Sequence, residues 1–161
     1  MPRRVASLLC ARVGPKRDET LKQRGCRFGS SEIYAIIDDF PQIRDSMCVS
    51  HYNKHGDERA VLFLKMAAGH TFDNRLVCNI KKAIAEELTI RHVPDVVLET
   101  EDIPVNMNGK KMEIIVKKII NKMPYNDESV INPESLKNFM DVPELQNFER
   151  IFPNIMMLKG S

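Results

Sequence analysis

The residues best suited to chemistry lie between Pro104 and Ile119, in PVNMNGKKMEIIVKKI, where a polar turn with one glycine delivers Lys110 and Lys111 onto the start of a lysine-edged apolar helix. A cation held on such a turn can grip a phosphate, neutralise a developing anion, or stand as a solvated helix start. The last is an electrostatically poor arrangement, because the first turn of a helix carries the positive end of its dipole. Gly109 lets the loop approach a ligand closely, and Asn106 and Asn108 favour the turn.

Other site chemistries do not fit the pattern. The chain contains no GxGxxG, GxSxG or HExxH, and Asn108-Gly109-Lys110 lacks the upstream glycine and the following hydroxyl residue of a P-loop. Cys10, Cys26, Cys48 and Cys78 are scattered, with no CxxC pair and no ligand spacing to the four histidines. No metal site is expected. Reduced thiols of a cytoplasmic protein fit best, with Cys26, Cys48 and Cys78 in core or semi-buried positions. His51, His55, His70 and His92 read as solvated or capping residues in turns or at element ends. The methionines at 107, 112, 123, 140, 156 and 157 read as packing residues.

Composition narrows the class further. The 161 residues are 43% hydrophobic and 29% charged, enough for one core, and the net charge of +2 provides no large cationic field. Neither a nucleic acid nor a membrane is expected as a partner, and phosphate recognition must be local. No apolar run approaches the roughly 18 residues of a spanning helix, so the chain is expected to be soluble. The first 17 residues hold five basic and no acidic side chains, faintly like a transit peptide, but prolines at 2 and 15 spoil an amphipathic helix there.

The elements that must position Lys110 follow from periodicity. TLKQRGCRFG, Thr20 to Gly29, predicts a short hairpin turning at Arg24-Gly25. Ile33, Ile36, Ile37 and Phe40 fall at helical spacing, with Ser30 or Ser31 as cap, Glu32 supporting the helix start and Pro41 marking the stop. Ser46 to Tyr52 and Arg59 to Ala67 read as strands, the second apolar on both faces and therefore central in its sheet. A longer helix opens at Thr71 and buries Leu76, Val77, Ile80, Ile84 and Leu88; Asp95 to Thr100 reads as a strand. The helix after the lysine turn buries Met112, Ile115, Val116 and Ile119 and leaves Lys111, Lys117, Lys118 and Lys122 in water. Beyond Met123 the pattern weakens to a polar connection, one short helix and a tail packing through Leu145, Phe148 and Phe152. The expected fold class is α+β, a small mixed sheet covered by helices with an N-terminal β-hairpin.

Several pieces together carry a resemblance: RDETLKQRGCRFGSSEIY, LFLKMAAGH, RHVP, NGKK, INPES and DVPELQNF, in this order. The stretch from Asp18 to Phe148 resembles the C-terminal domain of adenylate-forming acyl-CoA synthetases, and more narrowly that of acetoacetyl-CoA synthetases. The resemblance implies three parts: residues 1–17 as an unmatched flexible segment, 18–123 as the AMP-binding-enzyme C-terminal domain, and 124–161 as a partly packed extension. It also implies a large N-terminal adenylate-forming domain as partner, with acid specificity residing there. Acetoacetate, ATP and coenzyme A would be the substrates, with Mg2+ accompanying ATP.

By the same resemblance Lys110 matches the adenylation lysine, supported by Gly109 in its loop, and Asp18 matches the hinge about which the small domain turns. Gly25 matches the hairpin glycine lining the pantetheine channel for coenzyme A, and Arg27 matches an arginine associated with phosphate contacts. Lys110 is expected to face solvent near the surface formed by the Gly25 hairpin and its neighbouring loops. The chain departs from the family at Lys16 and Pro15, where an arginine used on the nucleotide ribose and a glycine usually stand. The reading this supports is the C-terminal domain of an ATP-dependent acetoacetate-CoA ligase, inactive by itself; the alternative is a non-catalytic binding or regulatory module derived from that domain.

Overall fold

The computed structural model describes residues 20–23, 25–146 and 148. The chain order within them is hairpin, helix, two strands, helix, strand, helix, followed by short 3-10 turns. Strands β1 (Thr20–Gln23) and β2 (Cys26–Gly29) pair antiparallel, Gln23 opposite Cys26, and form a sheet of their own. Their alternation turns Leu21, Gln23 and Phe28 inward and leaves Lys22 and Arg27 exposed. Gly25 takes the left-handed φ of +81° that this tight turn demands.

The cap of helix α1 (Ser30–Ile37) lies one residue before the nearer of the two expected positions, Ser30 and Ser31. Gly29 is the N-cap and supplies no side chain, Ser30 is buried inside the helix, and Glu32 reaches back to accept the Gly29 N–H at 3.1 Å. Strand β3 (Ile43–Tyr52) runs antiparallel to β4 (Glu58–Met66), and β5 (Val96–Glu99) joins β4 in parallel, so β4 is central as its apolar faces predict. The parallel pair requires a crossover. Helix α2 (Asn74–Glu87) provides it, capped by the Asp73 carboxylate on the Leu76 N–H, so the helix opens later than Thr71. A 3-10 turn, Ile90–His92, completes the return, and helix α3 (Glu113–Ile120) follows the lysine turn.

Side chains of β4 alternate between two cores. Ala60, Leu62 and Leu64 pack with the hairpin, α1 and α2. Val61 and Phe63 pack with α3 and with the stretch after Met123. That stretch is more deeply built in than its weak pattern suggests: two 3-10 segments, Pro133–Phe139 and Pro143–Leu145, place Val130, Leu136, Phe139 and Leu145 in the second core. Phe139 meets Phe63 edge-on, ring centroids 4.8 Å apart, a geometry that adds to the area it buries. Phe148 lies against His51 and Arg59; Phe152 lies outside the described residues.

Three expectations are corrected. Cys78 is exposed on the outer face of α2, whereas Cys48 is buried in β3. Met107 stands 88% exposed at the tip of the lysine turn, since that turn leaves the sheet and has no core beneath its apex. His51 sits within β3 and is buried, neither solvated nor in a turn.

Candidate functional site

The lysine turn is closed by Asn106. Its Oδ1 accepts the N–H groups of Asn108 at 2.9 Å and Lys110 at 3.0 Å, while its own N–H donates to the Lys110 carbonyl at 3.0 Å. Gly109 sits at φ +77°, a conformation other residues adopt only with strain. Where the two limbs of the turn meet, Val105 and Lys111 form an antiparallel bridge. In extended backbone, neighbouring side chains point to opposite sides. Lys110 therefore faces solvent, and its ammonium has no partner among the described residues.

Lys111, expected in water, turns inward instead. Its Nζ stands 3.2 Å from the Asp45 carboxylate and 3.5 Å from the centroid of the Tyr34 ring. The Tyr34 hydroxyl donates to Glu113 and accepts the Cys48 N–H at 2.9 Å. Burial, followed by the nearby Glu113 charge, raises the Tyr34 hydroxyl well above its ordinary value and raises the Cys48 thiol likewise. Both stay protonated, which suits a donor to Glu113. The downstream limb is thus anchored to α1 and β3.

The upstream limb is anchored by Asn132. Its Oδ1 accepts the Val105 N–H at 3.0 Å, and its Nδ2 donates to the Ile103 carbonyl at 2.9 Å and to Asp102 at 3.0 Å. Asp102 in turn accepts from Lys65 of β4 and from the Ile103 N–H, both at 2.9 Å. Burial would raise the Asp102 carboxyl, but the hydrogen bonds from Lys65, Asn132 and Ile103, with the Lys65 charge, outweigh it and hold the group below its ordinary value.

At the hairpin, Gly25 and Arg27 are both exposed. A Cβ built on Gly25 would meet none of the described residues within 4 Å. Gln23 fixes the hairpin to the sheet. Fully buried, it donates to the carbonyls of Arg91 and Val93 at 3.2 and 2.6 Å and accepts from the N–H groups of Ala60 and Asp95 at 3.0 and 3.1 Å. Nearby, the His92 ring packs tilted against Phe28, centroids 4.7 Å apart, and its Nε2 lies 3.9 Å from the Glu32 carboxylate.

Lys110 and Gly25 are not brought together. Gln23 grips the start of β4 at Ala60, whereas the lysine turn is tied through Asp102 to Lys65 near the strand's other end. Those positions are roughly 16 Å apart along an extended strand. The hairpin packs with the first core, while Ile103 and Met112, which flank the lysine turn, pack with the second. The expectation of a shared surface is therefore corrected, while the solvent-facing ammonium stands. Asp18 lies outside the described residues.

Sequence reading missed Gln23, Tyr34, Asp45, Asp102 and Asn132. For Gln23 a signal existed, since strict alternation from Leu21 puts it on the inward face. For the others the partners are far apart in the chain. None of the described helices is long and apolar enough to cross a membrane.

The fold is that of acyl-CoA synthetase domains. An acyl-CoA synthetase from Brucella canis, 16% identical, superposes over 65% of this chain and 19% of its own with a TM-score of 0.58. Within that class the chain is homologous to acetoacetyl-CoA synthetase: the Rattus norvegicus protein is 52% identical over 134 residues, 83% of this chain. The acetoacetyl-CoA synthetase from Streptomyces lividans, 30% identical, superposes over 79% of the chain and 20% of its own with a TM-score of 0.67. No family model matches the chain. It spans 20% of the length of the rat protein.

Proposed function

We propose that the chain works as the C-terminal domain of an ATP-dependent acetoacetate-CoA ligase, with a large N-terminal domain that presents the nucleotide and the acid. Acetoacetate attacks the α-phosphorus of magnesium-bound ATP, releasing diphosphate; the thiol of coenzyme A then attacks the acyl carbon and releases AMP. In the first step negative charge concentrates where carboxylate and phosphate oxygens meet. An ammonium delivered to a water-excluded site there contributes several kcal/mol, as preorganised charge stabilisation does elsewhere. Lys110 is that ammonium, Gly109 shapes its loop, Asp18 acts as the hinge, Gly25 borders the pantetheine path and Arg27 contacts phosphate. By itself the chain is expected to be inactive.

The observation that carries this reading is an exposed lysine, without a partner among the described residues, on a turn anchored at both limbs, in a chain homologous to acetoacetyl-CoA synthetase. The separation of Lys110 and Gly25 along β4 departs from the shared surface expected of them, and the proposal accommodates it. Each serves a different half-reaction, so neither needs the other nearby, and a turn of the small domain brings each to the active site in its own step.

The test is complementation. Added to an acetoacetyl-CoA synthetase lacking its small domain, the chain should restore adenylation, followed as ATP–diphosphate exchange, and Lys110→Ala should abolish at least 90% of the gain, the order expected when a charge-stabilising donor is removed. Equal rescue by both proteins would remove the catalytic assignment.

A further inference from the structure

Asn132 occupies a position that no catalytic reading assigns. It lies in the stretch after Met123, is half-buried, and spends its whole side-chain amide on the limb leading to Lys110. Both Nδ2 hydrogens are donated, one to a backbone carbonyl and one to a carboxylate, and Oδ1 takes a backbone N–H. The adjacent Ile131 N–H donates to the Val105 carbonyl at 3.0 Å, so Val105 is held through both its backbone groups. Asp102 passes the restraint on to Lys65 of the central strand.

Stabilisation of the fold is a small part of what this chain of contacts does. Lys65 and Asp102 are each about one-third exposed, and exposed ion pairs are worth only ~0–1 kcal/mol. Position is where such a contact matters. A charge aimed at a developing anion must be held to within about half an ångström, and a displacement of about 1 Å can cost on the order of a hundredfold in rate. Lys110 has no partner among the described residues to hold its side chain, so the backbone beneath it must be fixed, and Val105 is the bridge residue opposite its neighbour Lys111.

We propose that Asn132 is a positioning residue for Lys110: through Val105, Ile103 and Asp102 it fixes the upstream limb of the lysine turn to the central strand, and adenylation depends on it. The proposal rests on the reading of Lys110 as the adenylation lysine, so its test has two arms that fail separately. In the first arm the full chain is studied alone. Asn132→Ala should raise amide exchange at Val105 at least tenfold and lower the order parameter of the Lys110 amide from about 0.85 to below about 0.6, while amides of β3 and β4 keep their protection.

In the second arm the chain complements the synthetase lacking its small domain, and the two half-reactions are assayed apart. Asn132→Ala should slow adenylation about tenfold to a hundredfold and leave thioester formation from preformed acetoacetyl-adenylate within twofold of wild type. Asn132→Asp keeps the acceptor for Val105 but sets a carboxylate against Asp102, and should lose the same step, providing a second variant if alanine fails to fold. Wild-type exchange and order at Val105 and Lys110 in these variants overturns the proposal whatever the assay gives. Equal losses in both half-reactions also overturn it, since they signify general destabilisation. Wild-type adenylation by Lys110→Ala instead overturns the assignment of the lysine, and the exchange data still decide whether Asn132 orders the turn.

Discussion

Lys110 and Lys111 share a type and a turn, and one step of extended backbone sends the first to solvent and the second to Asp45 and Tyr34. His51 gives the same lesson with a pH signature. Burial first, and the Arg59 charge second, push its imidazole down to about 4 from the ordinary 6.5, and Arg59 Nε–H donates to its Nδ1 at 3.2 Å, which requires the neutral ring. The unfolded chain binds a proton near pH 6.5, and the folded chain does so only near pH 4. Stability should therefore be full at neutral pH and decline as pH falls between those two values, because the unfolded state then holds more protons. NMR titration should place the His51 ring midpoint near 4, and His51→Gln should flatten the decline measured by urea unfolding. A midpoint at 6 or above would contradict this account.

At the scale of elements, the Gln23 amide ties the hairpin to β4 and to the segment before β5, beside the Lys22 N–H bond to Glu58 and the apolar packing of Leu21 and Phe28. Gln23 satisfies two N–H groups and two carbonyls, none of them on its own strand, in a place closed to water. Gln23→Leu keeps the side chain buried but leaves the Ala60 N–H and the Val93 carbonyl without this partner, while the Asp95 N–H keeps the Ala60 carbonyl at 3.1 Å, and each buried unpaired group costs about 1–3 kcal/mol. Urea denaturation should show a loss of at least that size, and exchange at Leu21 and Phe28 should rise more than exchange in α3, which packs on the other core. Equal exchange in the two regions would mean that Gln23 is not a local anchor. The strands and helices themselves were legible in the chain. Ile33, Ile36 and Ile37 form the buried stripe of α1, and the two-faced apolarity of β4 identifies a central strand. Helix starts were read less accurately, at Ser30 and Thr71, because Gly29 and Asp73 act through backbone geometry and a single hydrogen bond that several neighbours could equally have supplied.

For the molecule as a whole, the stretch after Met123 completes the second face of the sheet. Phe139 is 1% exposed, packed on Phe63. Phe139→Ala should therefore cost about 3–5 kcal/mol and lower the melting temperature by roughly 6–20 °C. A loosely attached tail residue would cost below about 1 kcal/mol, so calorimetry separates the two descriptions. The pattern of this stretch was weak because 3-10 turns opened by Pro133 and Pro143 follow neither helical nor strand spacing, although its few apolar residues are the buried ones.

From residues alone came the α+β order, most of both cores, the glycine turn bearing Lys110 and the kinship with acetoacetyl-CoA synthetases. All of these rest on short-range periodicity or on strings of identical residues, which survive in one dimension. Only the tertiary structure decided that Lys111 is anchored while Lys110 meets no partner among the described residues, that Asn132 grips a limb 27 residues earlier in the chain, and that the hairpin and the lysine turn are tied to opposite ends of β4. Those are pairings between distant segments, and a polar side chain carries no mark in the sequence of which distant partner the fold will bring within hydrogen-bond reach.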